Sequence, residues 1–193
     1  MTRRTRSPAV IALDDTPTTV TALNLPNSSA PVYSTVCDTA LGPVLLTSDG
    51  EHLTGLYLEV SDEITHRLHL SYGVEPTPEN DLAIFADTEV QLREYFAGER
   101  RRFDLPLATP GTEFQRSVWH ALTLIPYGGT AGYGELAEAL GRPGAARAVG
   151  AANGKNPISI VVPCHRVIGA DGSLTGYAWG EAKKRHLLDL EQG

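Results

Sequence analysis

The chain has 193 residues, of which 41% are apolar, and its formal net charge at pH 7 is -7. This length allows one domain or two small ones, and the composition is ordinary for a soluble globular protein. No apolar run approaches the roughly 20 residues that span a bilayer. The short apolar run after Arg3, Arg4 and Arg6 is too short for a signal peptide. We therefore expect a cytoplasmic protein that does not contact membranes.

The two cysteines, Cys37 and Cys164, lie far apart in unlike contexts. A disulfide framework is not indicated, and a reducing compartment with a free thiol at Cys164 is expected.

The charges are distributed unevenly along the chain. Residues 1–111 carry 8 basic and 16 acidic residues, a net charge of -8, whereas residues 112–193 carry 8 and 7, a net charge of +1. The segment between Glu138 and Asp171 contains no acidic residue, but it contains Arg142, Arg147, Lys155 and Arg166. A polyanion could approach this segment, although a neutral surface with scattered basic side chains has the same pattern.

The first half of the chain predicts a tail followed by a small α+β domain. Residues 1–31 are polar without sustained periodicity and are predicted to be a disordered tail. Short apolar or alternating runs then predict antiparallel strands at Val32–Cys37, Val44–Thr47 and Leu53–Val60. A helical pattern over Asn80–Phe96 ends at Gly98. The domain is expected to cover residues 32–108, and its net charge suggests that it faces away from any bound polyanion.

The second half, residues 109–193, predicts a helical domain. Leu105–Gly111 is typical of a linker, and Thr112 with Gln115 forms a capping box that begins a helix. Its apolar stripe predicts a core-facing helix and consists of Phe114, Val118, Trp119, Leu122 and Ile125. Two short helices, Tyr133–Leu140 and Ala145–Asn153, are separated by a glycine-containing turn. They fit a helix-turn-helix, although any αα-hairpin has a similar pattern.

The most informative motif is the cysteine that follows the strand-like run Ile158–Val162. Pro163 ends that run at an abrupt bend, and Cys164 is followed directly by His165 and Arg166. An ionised thiol is a strong nucleophile, and a neighbouring base or cation promotes its ionisation. A buried structural cysteine is the alternative. Arg166 could contact a phosphate or pair with a backbone carbonyl.

Four segments together resemble the O6-alkylguanine-DNA alkyltransferases: Ala145–Gly150, Asn156-Pro157, Pro163–Gly169 and Thr175–Tyr177. The resemblance is specific from Thr112 to Glu191 and looser from Val32 to Asp104. It implies DNA repair by stoichiometric, irreversible transfer of the alkyl group from O6-alkylguanine, and from O4-alkylthymine, to Cys164. It also implies a monomer without a cofactor that binds double-stranded DNA through the minor groove.

The resemblance assigns roles to individual residues of this chain. Arg147 would fill the space of the extruded base, while small side chains let its helix approach the DNA: Ala145, Ala146, Ala148 and Ala151. His165 would take the thiol proton through a water molecule and would be polarised by Glu191. Tyr133 would serve the departing guanine, and Asn156 would order the active-site turn.

The substrate pocket implied by the resemblance consists of Val167, Tyr177, Ala178 and Trp179. Many relatives have a glycine-rich loop where this chain has Ala178 and Trp179, which affects the expected width of the pocket.

Some relatives carry a structural zinc ion, but here Cys37 with His52, His66 and His69 suggests no such site. We expect no metal, and we expect His66 and His69 to be exposed on a helix.

Three other functions remain as hypotheses. They are a lesion-recognition protein without alkyl transfer, a cysteine hydrolase that uses Cys164 and His165 over many turnovers, and a regulator that uses the helix-turn-helix alone.

Overall fold

The computed structural model describes residues 23, 31–73, 75–174 and 176–193. The predicted disordered tail, residues 1–31, therefore lies outside the described residues except for Leu23 and Pro31, and so does Thr175. The strands are β1 (Tyr33–Thr39), β2 (Gly42–Ser48), β3 (Leu53–Tyr57), β4 (Thr77–Pro78), β5 (Ala131–Gly132) and β6 (Val167–Ile168). The helices are α1 (Asp62–Tyr72), α2 (Ala83–Phe96), α3 (Glu113–Thr123), α4 (Tyr133–Ala139), α5 (Ala146–Asn153) and α6 (Glu181–Leu190), with a 3-10 turn at Cys164–Arg166.

The first half forms a four-stranded sheet in the order β3-β2-β1-β4. The pairs β1–β2 and β2–β3 are antiparallel as predicted, and the short β4 adds a parallel pair next to β1. The strand predicted at Leu53–Val60 ends at Tyr57, and the predicted helix begins at Ala83 rather than Asn80. His66 and His69 are exposed on α1, as expected.

The segment predicted as a linker is instead part of the sheet edge. The Leu53 N–H donates to the Pro106 carbonyl over 2.8 Å, and the Ala108 N–H donates to the Leu53 carbonyl over 3.1 Å. Leu105 and Leu107 are 1% exposed. The turn residues suggested a linker, but burial of the two leucines holds the segment against β3.

The second half is helical and contains the predicted helix-turn-helix. The Thr112–Gln115 capping box is present at the start of α3, and the stripe residues Val118, Trp119 and Leu122 are buried. Helices α4 and α5 pack on each other and on α3. The predicted fold class is confirmed: α+β, with an N-terminal sheet and helices followed by a helical C-terminal part with a helix-turn-helix. Within the described ranges, no helix is both long and apolar enough to cross a membrane.

Candidate active site

The segment before Cys164 is a buried turn, so the strand predicted at Ile158–Val162 is wrong. Only Ile158 pairs with the sheet, through a bridge to Leu56. After it the chain closes on itself, because the Val162 N–H donates to the Ile158 carbonyl over 2.9 Å. Ile160 has a φ of 70°, a conformation that a β-branched residue rarely adopts. A short apolar run indicates burial but does not distinguish a strand from a buried turn.

This segment, residues 156–164, is called the reactive turn here, and it is held from two sides. The Asn156 Nδ2 donates to the Val162 carbonyl over 2.8 Å, and the Ile158 N–H donates to the Asn156 Oδ1 over 3.1 Å. On the other side, β3 pairs with the turn. The Leu56 N–H donates to the Pro157 carbonyl over 2.8 Å, and the Ser159 N–H donates to the Leu56 carbonyl over 3.0 Å. The turn therefore depends on both halves of the chain.

Cys164 begins the 3-10 turn and is 4% exposed. Burial raises the pKa of its thiol, while the polar side chains of Asn156 and Ser159 and the positive charge of Lys184 act in the opposite direction. Lys184 is wholly buried, and its Nζ donates to the Val167 carbonyl over 2.6 Å. The environment thus contains three groups that favour a thiolate inside an otherwise apolar core.

His165 is oriented by Glu191, which lies at the end of α6. The His165 Nε2 lies 2.9 Å from Glu191 Oε1, and both side chains are wholly buried. Because a carboxylate only accepts, Nε2 carries the hydrogen and Nδ1 holds the lone pair. Nδ1 is buried and has no hydrogen-bond partner among the described residues. Burial lowers the pKa of His165, so a neutral ring with a free basic nitrogen is present at neutral pH.

Glu191 is the centre of a buried network. Arg166 donates two hydrogen bonds to the Glu191 carboxylate, through Nε and Nη2, each over 2.9 Å. Its Nη1 donates to the Ile125 carbonyl over 2.6 Å. The Tyr95 hydroxyl on α2 donates to Glu191 Oε1 over 2.8 Å, and the Gly128 N–H donates to Glu191 Oε2 over 3.1 Å. Burial alone would raise the pKa of Glu191, but the hydrogen bonds from His165 and Arg166 leave it below its usual range. Of the two readings of Arg166, the structural pair is correct.

Two tyrosines lie near Cys164. Tyr133 is half-buried at the first position of α4, and burial together with the charge of Cys164 raises its pKa. Its hydroxyl therefore stays protonated and can donate. Tyr177 is buried, its pKa is raised by burial and then by the charge of Cys164, and its hydroxyl has no protein hydrogen-bond partner among the described residues.

The other predicted pocket residues differ in their surroundings. Val167 is wholly buried, and its N–H donates to the Cys164 carbonyl, while its carbonyl accepts from Lys184. Ala178 is exposed. Trp179 is half-buried, with its Nε1 2.7 Å from Ser159 Oγ.

Helix α5 presents the predicted contact residues. Arg147, Ala148 and Ala151 are exposed, and Ala145 and Ala146 are half-buried. Arg147 forms no ion pair with any residue that the structure describes.

The sequence reasoning missed Tyr95 and Lys184, which reach the site from distant parts of the chain. No local motif marks them, although an unpaired lysine in the apolar face of a C-terminal helix is a signal that could have identified Lys184. Within the described part of the chain, no three His, Cys, Asp or Glu side chains are grouped to hold a metal ion.

Comparisons with known proteins agree over both halves. Residues 32–109 match the family model "6-O-methylguanine DNA methyltransferase, ribonuclease-like domain", and residues 113–193 match "6-O-methylguanine DNA methyltransferase, DNA binding domain". The methylated-DNA–protein-cysteine methyltransferase of Mycobacterium tuberculosis is 50% identical over 160 residues, 83% of this chain and 92% of that protein. The constitutive enzyme of the same name from Bacillus subtilis is 42% identical over 161 residues, 83% of this chain and 95% of that protein. The crystal structure of Mycobacterium tuberculosis OGT in complex with DNA has a TM-score of 0.73 at 48% identity and covers 83% of this chain and 92% of that chain.

Proposed function

Because the chain belongs to the 6-O-methylguanine DNA methyltransferase family, we propose that it repairs DNA by transferring an alkyl group from O6 of guanine to Sγ of Cys164. One observation carries the assignment to this residue. Cys164 lies next in sequence to a buried neutral histidine that Glu191 orients over 2.9 Å, so a nucleophile, a base and an orienting group occur together.

The first step makes the nucleophile. The Cys164 thiol gives its proton to His165 Nδ1 through a water molecule, and Glu191 stabilises the resulting imidazolium through Nε2. The unpartnered, buried Nδ1 supports this role, because a buried acceptor normally has a donor. Lys184 stabilises the thiolate by charge.

The second step is the transfer itself. The sulfur attacks the alkyl carbon in line, an S–C bond forms, and the C–O6 bond breaks with its electron pair moving to the guanine ring. Tyr133 donates a hydrogen bond to the ring, which takes up a proton in place of the lost alkyl group, and the raised pKa of the Tyr133 hydroxyl supports its role as a donor. The products are S-alkylcysteine and an unmodified guanine. A thioether is inert, so each protein molecule reacts once.

Access to the lesion requires the guanine to leave the DNA stack. We propose that α5 enters the minor groove of double-stranded DNA and that Arg147 occupies the space of the extruded base. The exposure of Arg147 and its lack of an ion pair among the described residues support this. The small residues Ala145, Ala146, Ala148 and Ala151 allow close approach to the backbone.

The pocket for the extruded base is proposed to lie beside Cys164, bounded by Val167, Tyr177, Ala178 and Trp179. The same pocket would accept O4-alkylthymine. The Asn156 side chain forms hydrogen bonds with two backbone groups of the reactive turn, the Val162 carbonyl and the Ile158 N–H. These bonds support its role as the hinge that orders this segment.

We divide the chain into a tail at 1–31, a domain at 32–108 and an alkyl-acceptor domain at 109–193, and the matched ranges 32–109 and 113–193 support this division. The protein acts as a monomer without a cofactor. It works in the cytoplasm, where the free thiols of Cys37 and Cys164 remain reduced.

The test is intact mass spectrometry after incubation with duplex DNA that contains O6-methylguanine. We expect one added methyl group per chain, on Cys164, and no further reaction when the DNA is in excess. Cys164→Ser should gain nothing, whereas the matched variant Cys37→Ser should react like the parent protein.

An adduct on Cys37, or no adduct at all, would contradict the proposal. Continued turnover without an adduct would indicate the cysteine hydrolase, and binding without transfer would indicate the lesion-recognition protein.

A further inference from the structure

Asn153, the last residue of α5, carries a side-chain amide that is only half paired. The residue is 3% exposed. Its Nδ2 donates a long hydrogen bond of 3.5 Å to the Cys164 carbonyl, whereas its Oδ1 is buried and has no hydrogen-bond partner among the residues that the structure describes. Exchanging the two amide atoms would set two oxygens against each other, so Oδ1 is the unpaired atom. An unpaired acceptor therefore lies close to the main chain of the reactive cysteine.

The face of α5 that carries Asn153 is also the face that Tyr133 covers. A Cβ atom added to Gly150 would lie 3.6 Å from the Tyr133 ring, and one added to Gly176 would lie 3.7 Å from the Tyr133 hydroxyl. Residues three apart in a helix share a face, so Asn153 follows Gly150 on this side of α5. This helix face is therefore one wall of the space in which the extruded guanine is proposed to react.

The unpaired oxygen requires a hydrogen-bond donor, and O6-alkylguanine brings one to this place. Alkylation at O6 removes the hydrogen from N1, so the amino group on C2 is the only N–H donor left on the base. C2 and C6 are separated by N1 alone, so the amino group and the reacting O6 lie on the same edge of the ring. O4-alkylthymine has no N–H donor, because its alkylation removes the hydrogen from N3. A buried acceptor near Cys164 therefore distinguishes the two lesions.

We propose that Asn153 is a specificity-determining residue for the transfer: its Oδ1 accepts a hydrogen bond from the amino group of the extruded O6-alkylguanine and so selects this base over O4-alkylthymine. The inference rests on the proposed reaction of an extruded base at Cys164. A buried acceptor without a donor costs free energy in the unbound protein, and guanine removes that cost when it enters. The thymine lesion leaves the oxygen unpaired and gains nothing.

Three variants separate recognition of the base from a general loss of stability. Asn153→Leu replaces the amide with an apolar side chain of similar size, and Asn153→Ala gives the answer if Asn153→Leu does not fold. Gln91→Leu is the matched control, because it removes a buried amide from α2 that is paired at both atoms. Its Nε2 donates to the Asp104 carbonyl and its Oε1 accepts from the Asp104 N–H, each over 2.8 Å.

The probe is a pair of duplexes that differ only in the amino group, one with O6-methylguanine and the other with O6-methylhypoxanthine at the same site. Single-turnover transfer rates give the ratio between the two substrates for each protein. We expect Asn153→Leu and Asn153→Ala to lower this ratio about tenfold, because a hydrogen bond is lost only with O6-methylguanine. Gln91→Leu should keep the ratio of the parent protein. The rate with O4-methylthymine should not fall in Asn153→Leu.

The same comparison is made by DNA affinity in proteins that also carry Cys164→Ala, in which no transfer takes place. The ratio of the two dissociation constants should change about tenfold when Asn153→Leu is added. If that ratio changes as expected but the parent protein accepts no methyl group from DNA, Asn153 reads the amino group and the proposed function fails.

Ratios that stay unchanged in both Asn153 variants and in both assays would overturn the inference, whether or not transfer takes place, and would indicate that a water molecule pairs with the oxygen. Equal changes in Gln91→Leu would overturn it as well, since they would indicate a general loosening of the fold.

Discussion

At the scale of single residues, the site depends on one carboxylate that serves several donors. Glu191 is 5% exposed and accepts hydrogen bonds from His165, Arg166, Tyr95 and the Gly128 N–H. The charge of Arg166 balances that of Glu191, so the neutral His165 is oriented without being protonated. Glu191 therefore stabilises the fold as well as the histidine.

The variant Glu191→Gln tests the contribution of the Glu191 charge to the stability of the fold, which depends on pH. The pKa of Glu191 is held below its ordinary value of 4.5 in the folded protein, so its stabilising effect is complete above that pH and is lost as the pH falls further. We expect the variant to be less stable by about 3 kcal/mol at pH 7, because Arg166 loses its buried partner.

The measurement for Glu191→Gln is urea unfolding at a series of pH values. The difference in the free energy of unfolding between the parent protein and the variant should be constant near neutral pH and should become smaller below about pH 4.5. A difference that does not depend on pH would contradict the assigned charge of Glu191.

The residues of this network differ in how far the sequence predicts them. The pairing of His165 with Glu191 follows from the resemblance of the C-terminal half to a known family, and the contact is present. Tyr95 and Lys184 carry no such motif. Their contribution arises from contacts between distant segments, and composition and periodicity contain no information on those contacts.

At the scale of elements, helices α2 to α5 follow the predicted patterns, whereas α6 was not predicted and the reactive turn was predicted as a strand. A helix repeats its apolar face every few residues and has recognisable ends, so the Thr112 capping box and the turn between α4 and α5 could be located. The run Ile158–Val162 is buried on every side and therefore has no periodicity. Its shape is determined by contacts, among them those with Leu56 and Asn156.

Helix α5 gives a prediction about base extrusion. Arg147→Ala should slow transfer from duplex DNA by about tenfold or more at saturating DNA. Extruding a base from the stack costs a few kcal/mol, and without the Arg147 side chain nothing fills the space that the base leaves. Reaction with free O6-methylguanine base should be unaffected, since no extrusion is needed. Single-turnover kinetics with both substrates provide the measurement.

Lys155→Ala is the matched control, because it removes one exposed positive charge just beyond the same helix. It should weaken DNA binding without changing the rate at saturation. Equal rate losses in the two variants would show that Arg147 acts only as a charge.

At the scale of the whole molecule, the two halves share one hydrophobic core. Leu46 and Phe85 of the first half belong to the same buried cluster as Leu122 and Leu187 of the second. The first half also supplies Tyr95 to Glu191 and β3 to the reactive turn. The expectation that the negative charge of the first half faces away from DNA stays a prediction.

Tyr95→Phe tests this coupling. The lost hydroxyl donates to a buried carboxylate, so we expect a loss of about 2 kcal/mol in the free energy of unfolding and slower alkyl transfer. Tyr127→Phe is the control, because its hydroxyl donates over 3.3 Å to the neutral Leu190 carbonyl, and it should cost about 0.5 kcal/mol. Denaturant unfolding and single-turnover rates are compared. Equal effects would contradict a specific role for Tyr95.

The covered edge of β3 has a consequence for synthesis of the protein. An unpaired strand edge can template aggregation, and here the partners of that edge are Leu107 and Ile158, which are translated after the sheet itself. The nascent sheet therefore leaves the ribosome with an open edge. That edge is closed when the segment that carries the cysteine has folded onto it.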